Sequence, residues 1–295
     1  AGILRALAER QGQGLVEPPS PEQVLAGDES WFPQPQDAGA PWVFPALERA
    51  YLRHAAGIGL VRRFLDRASS GALGRGIIGC DSWAWAYLQH IWHGRLSVTL
   101  VLQAFDQRRL AQIFDELANR SRRQPLLFRQ TSNGHYVLPP PDRDAVAGET
   151  SQFLDVLAAR SRGILGVAWA FWRAGLRTEP DDEDVAAAAT EDAPSSRLRT
   201  MWVRPWDKLQ SPELPPQSGG DEAVVLHALL LHNGLPVDVL QQCLPLAPNQ
   251  VMETLLRLEE VGLATHQDAV WRVSALGYPA ARQFLQAGGY LTDTL

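Results

Sequence analysis

The sequence predicts a mixed α/β fold, with a parallel sheet that carries helices on both of its faces. Short apolar runs typical of buried strands alternate with segments in which apolar residues recur at helical spacing, and that order indicates a parallel sheet. The clearest example is Arg75–Ile91, RGIIGCDSWAWAYLQHI, in which a buried strand runs directly into a helix. The last quarter of the chain has a different pattern, so a second domain is expected there.

Four apolar runs are predicted to form the sheet. They are Leu15–Glu17, Trp42–Phe44, Arg75–Gly79 and Val98–Leu102. Prolines follow the first two, and β-branched residues are frequent in the fourth. We expect Trp42–Phe44 and Ile77–Gly79 to be neighbouring parallel strands.

Helices are predicted between and after these strands from apolar periodicity and capping residues. Ser20 is expected to cap a helix that has Pro21 at its first position, and Asp106 to cap another. The other predicted helices cover residues 1–11, Leu47–His54, Ile58–Ala68, 150–161 and 164–176, with one more following Asp81.

The composition divides the chain into four regions. Residues 1–120 are expected to form the α/β core and residues 121–178 a helical lid with an insertion. Residues 179–220 are expected to be an acidic and proline-rich linker, because seven acids and no base occur between 179 and 196.

Residues 221–295 predict three helices followed by a strand turn, which is the winged-helix pattern. This region contains eight acids and three bases, a formal charge of −5. DNA affinity comes largely from Lys and Arg that neutralise phosphates. We therefore expect the region to bind protein and not DNA.

The whole chain indicates a cytoplasmic protein. Its net charge is −6, so no global basic field would attract nucleic acid. Two cysteines, Cys80 and Cys243, are far apart and indicate a reducing compartment. The sequence contains no apolar run of the roughly 18 residues that span a bilayer.

Several local patterns resemble the AAA+/STAND branch of P-loop ATPases. LRALAER at 4–10 resembles the helix that leaves the phosphate-binding loop, and PWVFPALERAYLR at 41–53 the Walker B strand with its helix. GIIGCDSWAW at 76–85 is similar to the sensor-1 strand, LQAFDQRRL at 102–110 to the transition into the lid, and SRGILGVAWAFW at 161–172 to the lid helix. The resemblance implies an incomplete or degenerate P-loop NTPase fold.

The sequence departs from this family at the positions that carry its chemistry. No GxxxxGK(S/T) motif occurs, and Pro45-Ala46 stand where the Walker B acids are expected. ATP or ADP with Mg²⁺ is therefore expected only if a phosphate-binding loop lies upstream of Ala1, and otherwise no cofactor is expected. We assign no catalytic residue and no metal ligand.

The resemblance implies that Glu48, Asp81, Ser82 and Arg162 lie near a nucleotide. Asp81 and Ser82 would then contact a γ-phosphate or its water, and alternatively they cap a helix. Glu48 would be a catalytic base, and alternatively an exposed acid in the first turn of a helix, where it suits the helix dipole.

Three functions are compatible with these patterns. The first is a regulatory AAA+/STAND-like nucleotide-binding module, catalytically incomplete, whose winged helix docks onto protein. The second is a DNA-binding transcription regulator, and the third a non-catalytic interaction scaffold. The expected partner in the first case is another protein, or a second copy of the chain, bound through the winged helix and the lid.

Overall fold

The chain forms mixed α/β structure that divides into two compact units. The computed structural model describes residues 2–34, 41–120, 126–140, 149–180 and 199–293. One unit combines Ala1–Leu100 with Pro212–Leu295, and the other is Val101–Ser211. The sequence predicts a separate C-terminal domain, whereas residues 212–295 belong to the same compact unit as the N-terminal sheet.

The N-terminal part of the first unit alternates helices and strands. Its elements are α1 (Gly2–Gln11), β1 (Gly14–Leu15), α2 (Pro21–Ala26), β2 (Trp42–Phe44), a 3₁₀ turn (Leu47–Arg49), α3 (Ile58–Ser69), β3 (Gly76–Ile78) and α4 (Ser82–Ile91).

The three strands form a parallel sheet in the order β1-β2-β3. Trp42 pairs with Gly76, and Phe44 with Ile78. The prediction that these two runs are neighbouring parallel strands is therefore confirmed. The first strand, Gly14–Leu15, begins one residue earlier than predicted and ends two residues earlier. Just beyond it, the N–H of Val16 donates to the carbonyl of Val43 at 2.9 Å.

Both faces of β2 are buried. Trp42 and Phe44 point to one face, where Phe64 of α3 lies with ring centroids 6.0 and 5.4 Å away. Val43 points to the other face and is fully buried. Gly79, just after β3, allows a close approach of Leu4 on α1, and a β-carbon there would lie 2.8 Å from the carbonyl oxygen of Pro45. The first turn of α1 is thereby held where the strands end.

Three predicted caps are confirmed. Ser20 caps α2 in a reciprocal capping box with Gln23, and Asp81 caps α4. Asp106 caps the helix that begins at Gln107, accepting from the N–H of Arg109 at 2.9 Å. Each cap depends only on residues within three positions, so local sequence suffices to predict it.

The predicted fourth strand, Val98–Leu102, is wrong. This segment belongs to no strand, and its apolar side chains are exposed, from 58% for Val101 to 89% for Leu100. High β propensity forms a strand only where a neighbouring strand offers hydrogen bonds and a packing surface. Within the described residues, no strand pairs with this segment.

The predicted helix at Leu47–His54 is also wrong, because only the 3₁₀ turn Leu47–Arg49 forms there. Residues 46–52 are buried with the exception of Arg49. A surface helix buries one stripe, and it cannot bury nearly every consecutive side chain. The irregular backbone instead allows the side chains of both Tyr51 and Leu52 to be buried in the core.

The second unit has its own sheet. Its elements are α5 (Gln107–Asn119), β4 (Leu126–Gln130), α6 (Phe153–Ser161), α7 (Leu165–Gly175), β5 (Leu176–Arg177), β6 (Arg199–Val203) and a 3₁₀ turn (Trp206–Lys208). The strand order is β4-β6-β5, with β4 parallel and β5 antiparallel to β6. Part of the predicted linker thus forms strand β6, and most of its acidic stretch lies outside the described residues.

The C-terminal segment, residues 220–293, contains helices and a hairpin. Its elements are α8 (Gly220–Leu231), α9 (Val237–Cys243), α10 (Pro248–Glu260), β7 (Ala264–Gln267), β8 (Val270–Val273) and α11 (Tyr278–Ala287). Leu235 forms an isolated antiparallel bridge with Trp271 of β8. In the described parts of the chain, no helix combines the length and apolar character needed to cross a membrane.

Candidate functional site

The carboxyl edge of the β1-β2-β3 sheet is the candidate site, because ligands of open α/β sheets bind outside the carboxyl ends of the strands. Glu17 follows β1, Glu48 follows β2, and Asp81 follows β3. Glu17 accepts two hydrogen bonds from Arg5 of α1, at 2.7 and 2.6 Å, and these lower its pKa. The edge is therefore rich in carboxylates.

Asp81 is a helix cap in this structure. Its Oδ1 accepts from the N–H of Trp83 at 3.0 Å and satisfies the first turn of α4. Burial raises the pKa of Asp81, and the nearby Asp293 carboxylate raises it further. The carboxylate is thus engaged by its own helix.

Glu48 is a buried acid, only 4% exposed. Its Oε2 accepts from the N–H of Asp81 at 3.2 Å, which links the segment after β2 to the loop after β3. Burial raises the pKa of Glu48, and the negative charge of Asp81 adds to this. Glu48 does lie in the first turn of a helical segment, but it is buried where the sequence predicts an exposed acid.

Cys80 directly precedes Asp81 in the loop after β3. Burial raises the pKa of its thiol well above the usual value, and the charges of Glu48 and Asp81 act in the same direction. A thiol that stays protonated is a poor nucleophile. Cys80 therefore fits a structural role.

Ser82 connects this edge to the C-terminal segment. Its Oγ donates to Oδ2 of Asp293 at 3.0 Å. The Asp293 carboxylate, 3% exposed, also accepts from Nε of Arg282 at 3.0 Å and from the Tyr278 hydroxyl at 3.4 Å. Three donors thus converge on one buried carboxylate: one from Ser82 at the start of α4, and two from Tyr278 and Arg282 of α11.

Two histidines of the C-terminal segment contact Arg53, which follows the 3₁₀ turn. The Arg53 guanidinium lies 2.9 Å from Nδ1 of His227, and the Arg53 backbone N–H donates to Nε2 of His232 at 3.4 Å. Because Arg donates only, His227 accepts on Nδ1 and donates from Nε2 to the carbonyl of Leu291 at 3.0 Å. His232 in turn donates from Nδ1 to the carbonyl of Glu48 at 3.3 Å.

These contacts fix both rings in the neutral form. Burial lowers the pKa of His232 to about 4, and the Arg53 charge contributes. Burial likewise lowers the pKa of His227 to about 4, with Arg53 as the second cause. Protonation would remove an acceptor on each ring and place a cation beside Arg53.

Two aromatic residues complete the contact, which we call the docking surface. Nε1 of Trp83 on α4 donates to the Tyr278 hydroxyl at 3.2 Å, and the Tyr51 hydroxyl donates to the carbonyl of Leu231 at 3.1 Å. The docking surface comprises Glu48, Tyr51, Arg53, Ser82 and Trp83 on one side. On the other side it comprises His227, Leu231, His232, Tyr278, Arg282, Leu291 and Asp293.

Arg162 lies in the other unit. It ends α6 in the left-handed conformation at φ 53°, and Gly163 follows at φ 67°. The N–H of Phe105 donates to the carbonyl of Gly163 at 2.9 Å, and a β-carbon at Gly163 would lie 2.5 Å from that nitrogen. The structure thus brings Glu48, Asp81 and Ser82 together in one unit and gives Arg162 a turn-forming position in the second.

The side chains at the carboxyl edge do not fit the phosphates of a nucleotide. Phosphate sites need free N–H donors or cations. Here Asp81 caps the amino end of α4, Arg5 is paired with Glu17, and the Ser82 hydroxyl donates to Asp293. Across the described ranges, no group of three or more His, Cys, Asp or Glu residues is placed to bind a metal ion.

The sequence analysis missed the residues that cover this edge, above all His227, His232 and Asp293. A signal existed for the histidines, because α8 is otherwise apolar over VVLHALLLH. A histidine in such a helix is buried and needs hydrogen-bond partners. No comparable signal marks Asp293, whose partner Ser82 is 211 positions away.

Comparisons with known proteins add no assignment. No family model, no curated protein and no solved structure matches this chain. Functional inference therefore depends on the geometry described above.

Proposed function

We propose that this chain is a regulatory AAA+/STAND-like module whose C-terminal segment is a winged helix docked on its own α/β core. The observation that carries the proposal is the docking surface, in which buried hydrogen bonds join the C-terminal segment to the loops after β2 and β3. The proposed role is to hold or release a partner through the position of this segment, without hydrolysis by the residues present.

The order of elements supports the winged-helix assignment. Helices α8, α9 and α10 are followed by the hairpin β7-β8, and an isolated bridge joins Leu235 to Trp271 of β8. Three helices with a small antiparallel sheet are what the winged-helix pattern requires. Its acidic charge supports docking on protein.

The sheet supports the NTPase-like assignment. It is parallel, with α1 held against the carboxyl ends of its strands, as the resemblance implies. Binding of ATP or ADP with Mg²⁺ would need a phosphate-binding loop from outside these 295 residues. The carboxylate-rich edge favours a second candidate function, a non-catalytic interaction scaffold.

Asp293→Ala tests the docking. The change removes the carboxylate that accepts from Ser82, Tyr278 and Arg282, and it leaves a partly buried cation unpaired. Breaking a buried pair from one side typically costs about 3–5 kcal/mol. We expect hydrogen exchange to accelerate at least about tenfold at Glu48–Arg53 and Ser82–Trp85. A local opening whose free energy falls by about 1.4 kcal/mol becomes tenfold more populated.

The control is Glu259→Ala, which removes an exposed acid near the carboxyl end of α10 in the same segment. It should leave exchange at Glu48–Arg53 unchanged. If Asp293→Ala leaves this exchange unchanged as well, the docking surface is not held by these bonds and the proposal fails. Calorimetric titration with ATP and Mg²⁺, on a chain extended upstream, separates the two functions, since a scaffold shows no binding.

A further inference from the structure

The outward side of α10 is an unpartnered helix face with an unusual composition. Met252 and Leu256 are one helical turn apart, and Leu256 is 53% exposed. Glu253, Glu259 and Glu260 flank them and are exposed. The docking surface does not use this face, because its residues in the C-terminal segment come from α8 with its cap His232, from α11 and from residues 291–293.

Among the residues that the structure describes, the carboxylates of this face have one weak counter-charge, Arg257, which is 3.9 Å from Glu253. The one base on α10, Arg257, lies 3.0 Å from Glu222 of α8 and 3.9 Å from Glu253, whose side chain is 68% exposed. Arg257 is therefore paired mainly with Glu222 of α8. The outward face has excess negative charge around two apolar side chains.

This arrangement is unfavourable for the isolated helix. Glu259 and Glu260 stand at the carboxyl end of α10, where the helix dipole disfavours negative charge by roughly 0.3–1 kcal/mol per residue. An exposed leucine among carboxylates also gains nothing from burial. Departures from local rules that nothing in the fold compensates are expected at functional surfaces.

We propose that the face formed by Met252, Glu253, Leu256, Glu259 and Glu260 binds a basic amphipathic helix of a partner protein. Apolar side chains of that helix would cover Met252 and Leu256, and its Lys or Arg residues would pair with the three glutamates. Residues three, four and seven apart on α10 lie on one side, so one helix can contact them all. Charge complementarity selects this partner over nucleic acid, whose phosphates the same carboxylates repel.

The test uses the full chain and a synthetic helical peptide of about 15 residues, the length at which isolated helices become stable. The peptide carries leucines three and four residues apart, surrounded by Lys and Arg. A scrambled peptide of the same composition and a charge-reversed peptide serve as controls. We expect a Kd of about 10 μM by anisotropy at low salt, weakening as ionic strength rises.

The double variant Glu259→Lys with Glu260→Lys should weaken binding of the peptide at least about tenfold. It should also raise Tm, because positive side chains interact favourably with the dipole at the carboxyl end of a helix. A merely structural role for these glutamates predicts a lower Tm instead. Leu256→Ser should weaken binding without affecting the salt dependence. The matched control is Glu9→Lys with Glu116→Lys, since these exposed acids also lie near the carboxyl ends of helices α1 and α5.

Three outcomes overturn the proposal. The first is equal binding of the designed and scrambled peptides. The second is equal binding by the native chain and by Glu259→Lys with Glu260→Lys. The third is that duplex DNA binds more tightly than the designed peptide under the same low-salt conditions.

Discussion

His232 is the residue through which the docking surface responds most directly to pH. It is fully enclosed, and both ring nitrogens are hydrogen-bonded to Glu48 and Arg53 backbone groups. Its folded pKa of about 4 lies below the ordinary value of 6.5. Between those values the unfolded chain binds more protons than the folded one, so stability is present above pH 6.5 and is lost as pH falls towards 4.

We predict that His232→Gln reduces this pH dependence. One histidine with this shift contributes roughly 3 kcal/mol at most to the loss of unfolding free energy between the two pH values. The measurement is urea unfolding at pH 7 and near pH 4, and the slope with pH should be smaller in the variant. His93→Gln, at an exposed position, is the control. An unchanged slope in His232→Gln would show that the ring is not buried neutral.

Glu48 acts in the opposite sense. Its folded pKa is raised by burial, so its contribution to stability is complete below the ordinary pKa of 4.5 and is lost as pH rises through the folded value. We predict that Glu48→Gln raises Tm at pH 8 more than at pH 4, because glutamine keeps an acceptor for the Asp81 N–H without the buried charge. Equal changes at both pH values would contradict this.

At the scale of elements, the β7-β8 hairpin contains a correctable strain. Its two turn residues, Asp268 and Ala269, both adopt positive φ, 52° and 60°. Such two-residue turns favour Asp-Gly, because a β-carbon is disfavoured in the left-handed region. We predict that Ala269→Gly raises the unfolding free energy by roughly 0.5–1 kcal/mol in urea unfolding.

The control for this prediction is Ala6→Gly, an exposed position inside α1. The same substitution should destabilise there by roughly 0.5–1 kcal/mol, because glycine lowers helix propensity. Destabilisation in both variants would mean that the hairpin turn has a different backbone conformation.

Elements whose causes are local could be predicted from the sequence. Ser20, Asp81 and Asp106 each cap a helix within a few residues, and the pairing of Trp42–Phe44 with the run before Gly79 follows from two apolar runs near each other in the chain. The predicted burial of the second run is wrong, because β3 is an edge strand of this sheet and Ile77 is 38% exposed. The prediction of a strand at Val98–Leu102 was wrong because β-branched residues form a strand only beside a partner strand, and local sequence does not specify that partner. The prediction of a helix at Leu47–His54 was wrong because nearly every consecutive side chain there is buried, which a surface helix does not allow.

The candidate site divides in the same way. Glu48 and Asp81 were identified because each follows a predicted strand, and the ends of parallel strands meet at one edge of a sheet. His232 and Asp293 were missed because the groups they contact, on Glu48 and Ser82, are 184 and 211 positions away. The residue pattern within the C-terminal segment does not indicate which residues of the N-terminal part it contacts.

For the whole molecule, we predict that this chain hydrolyses no ATP. Phosphoryl transfer requires a phosphate cradle, a lysine and a held Mg²⁺. The sequence contains no cradle motif, and the carboxyl edge presents carboxylates that are already hydrogen-bonded. Phosphate release with ATP and Mg²⁺ should match the rate without protein. Turnover that Glu48→Gln or Asp81→Asn abolishes would contradict this and would make those residues catalytic.

The discontinuous first unit has a consequence for biosynthesis. Residues Val101–Ser211 separate its two parts in the chain. A ribosome that adds about 5–20 residues per second needs roughly 6–20 s to translate that interval. During this time Trp83, Tyr51 and Glu48 have emerged, but the segment that covers them has not yet been made. Until then the nascent sheet exposes apolar side chains and an acid, Glu48, that the finished fold buries. This interval is when a chaperone would bind.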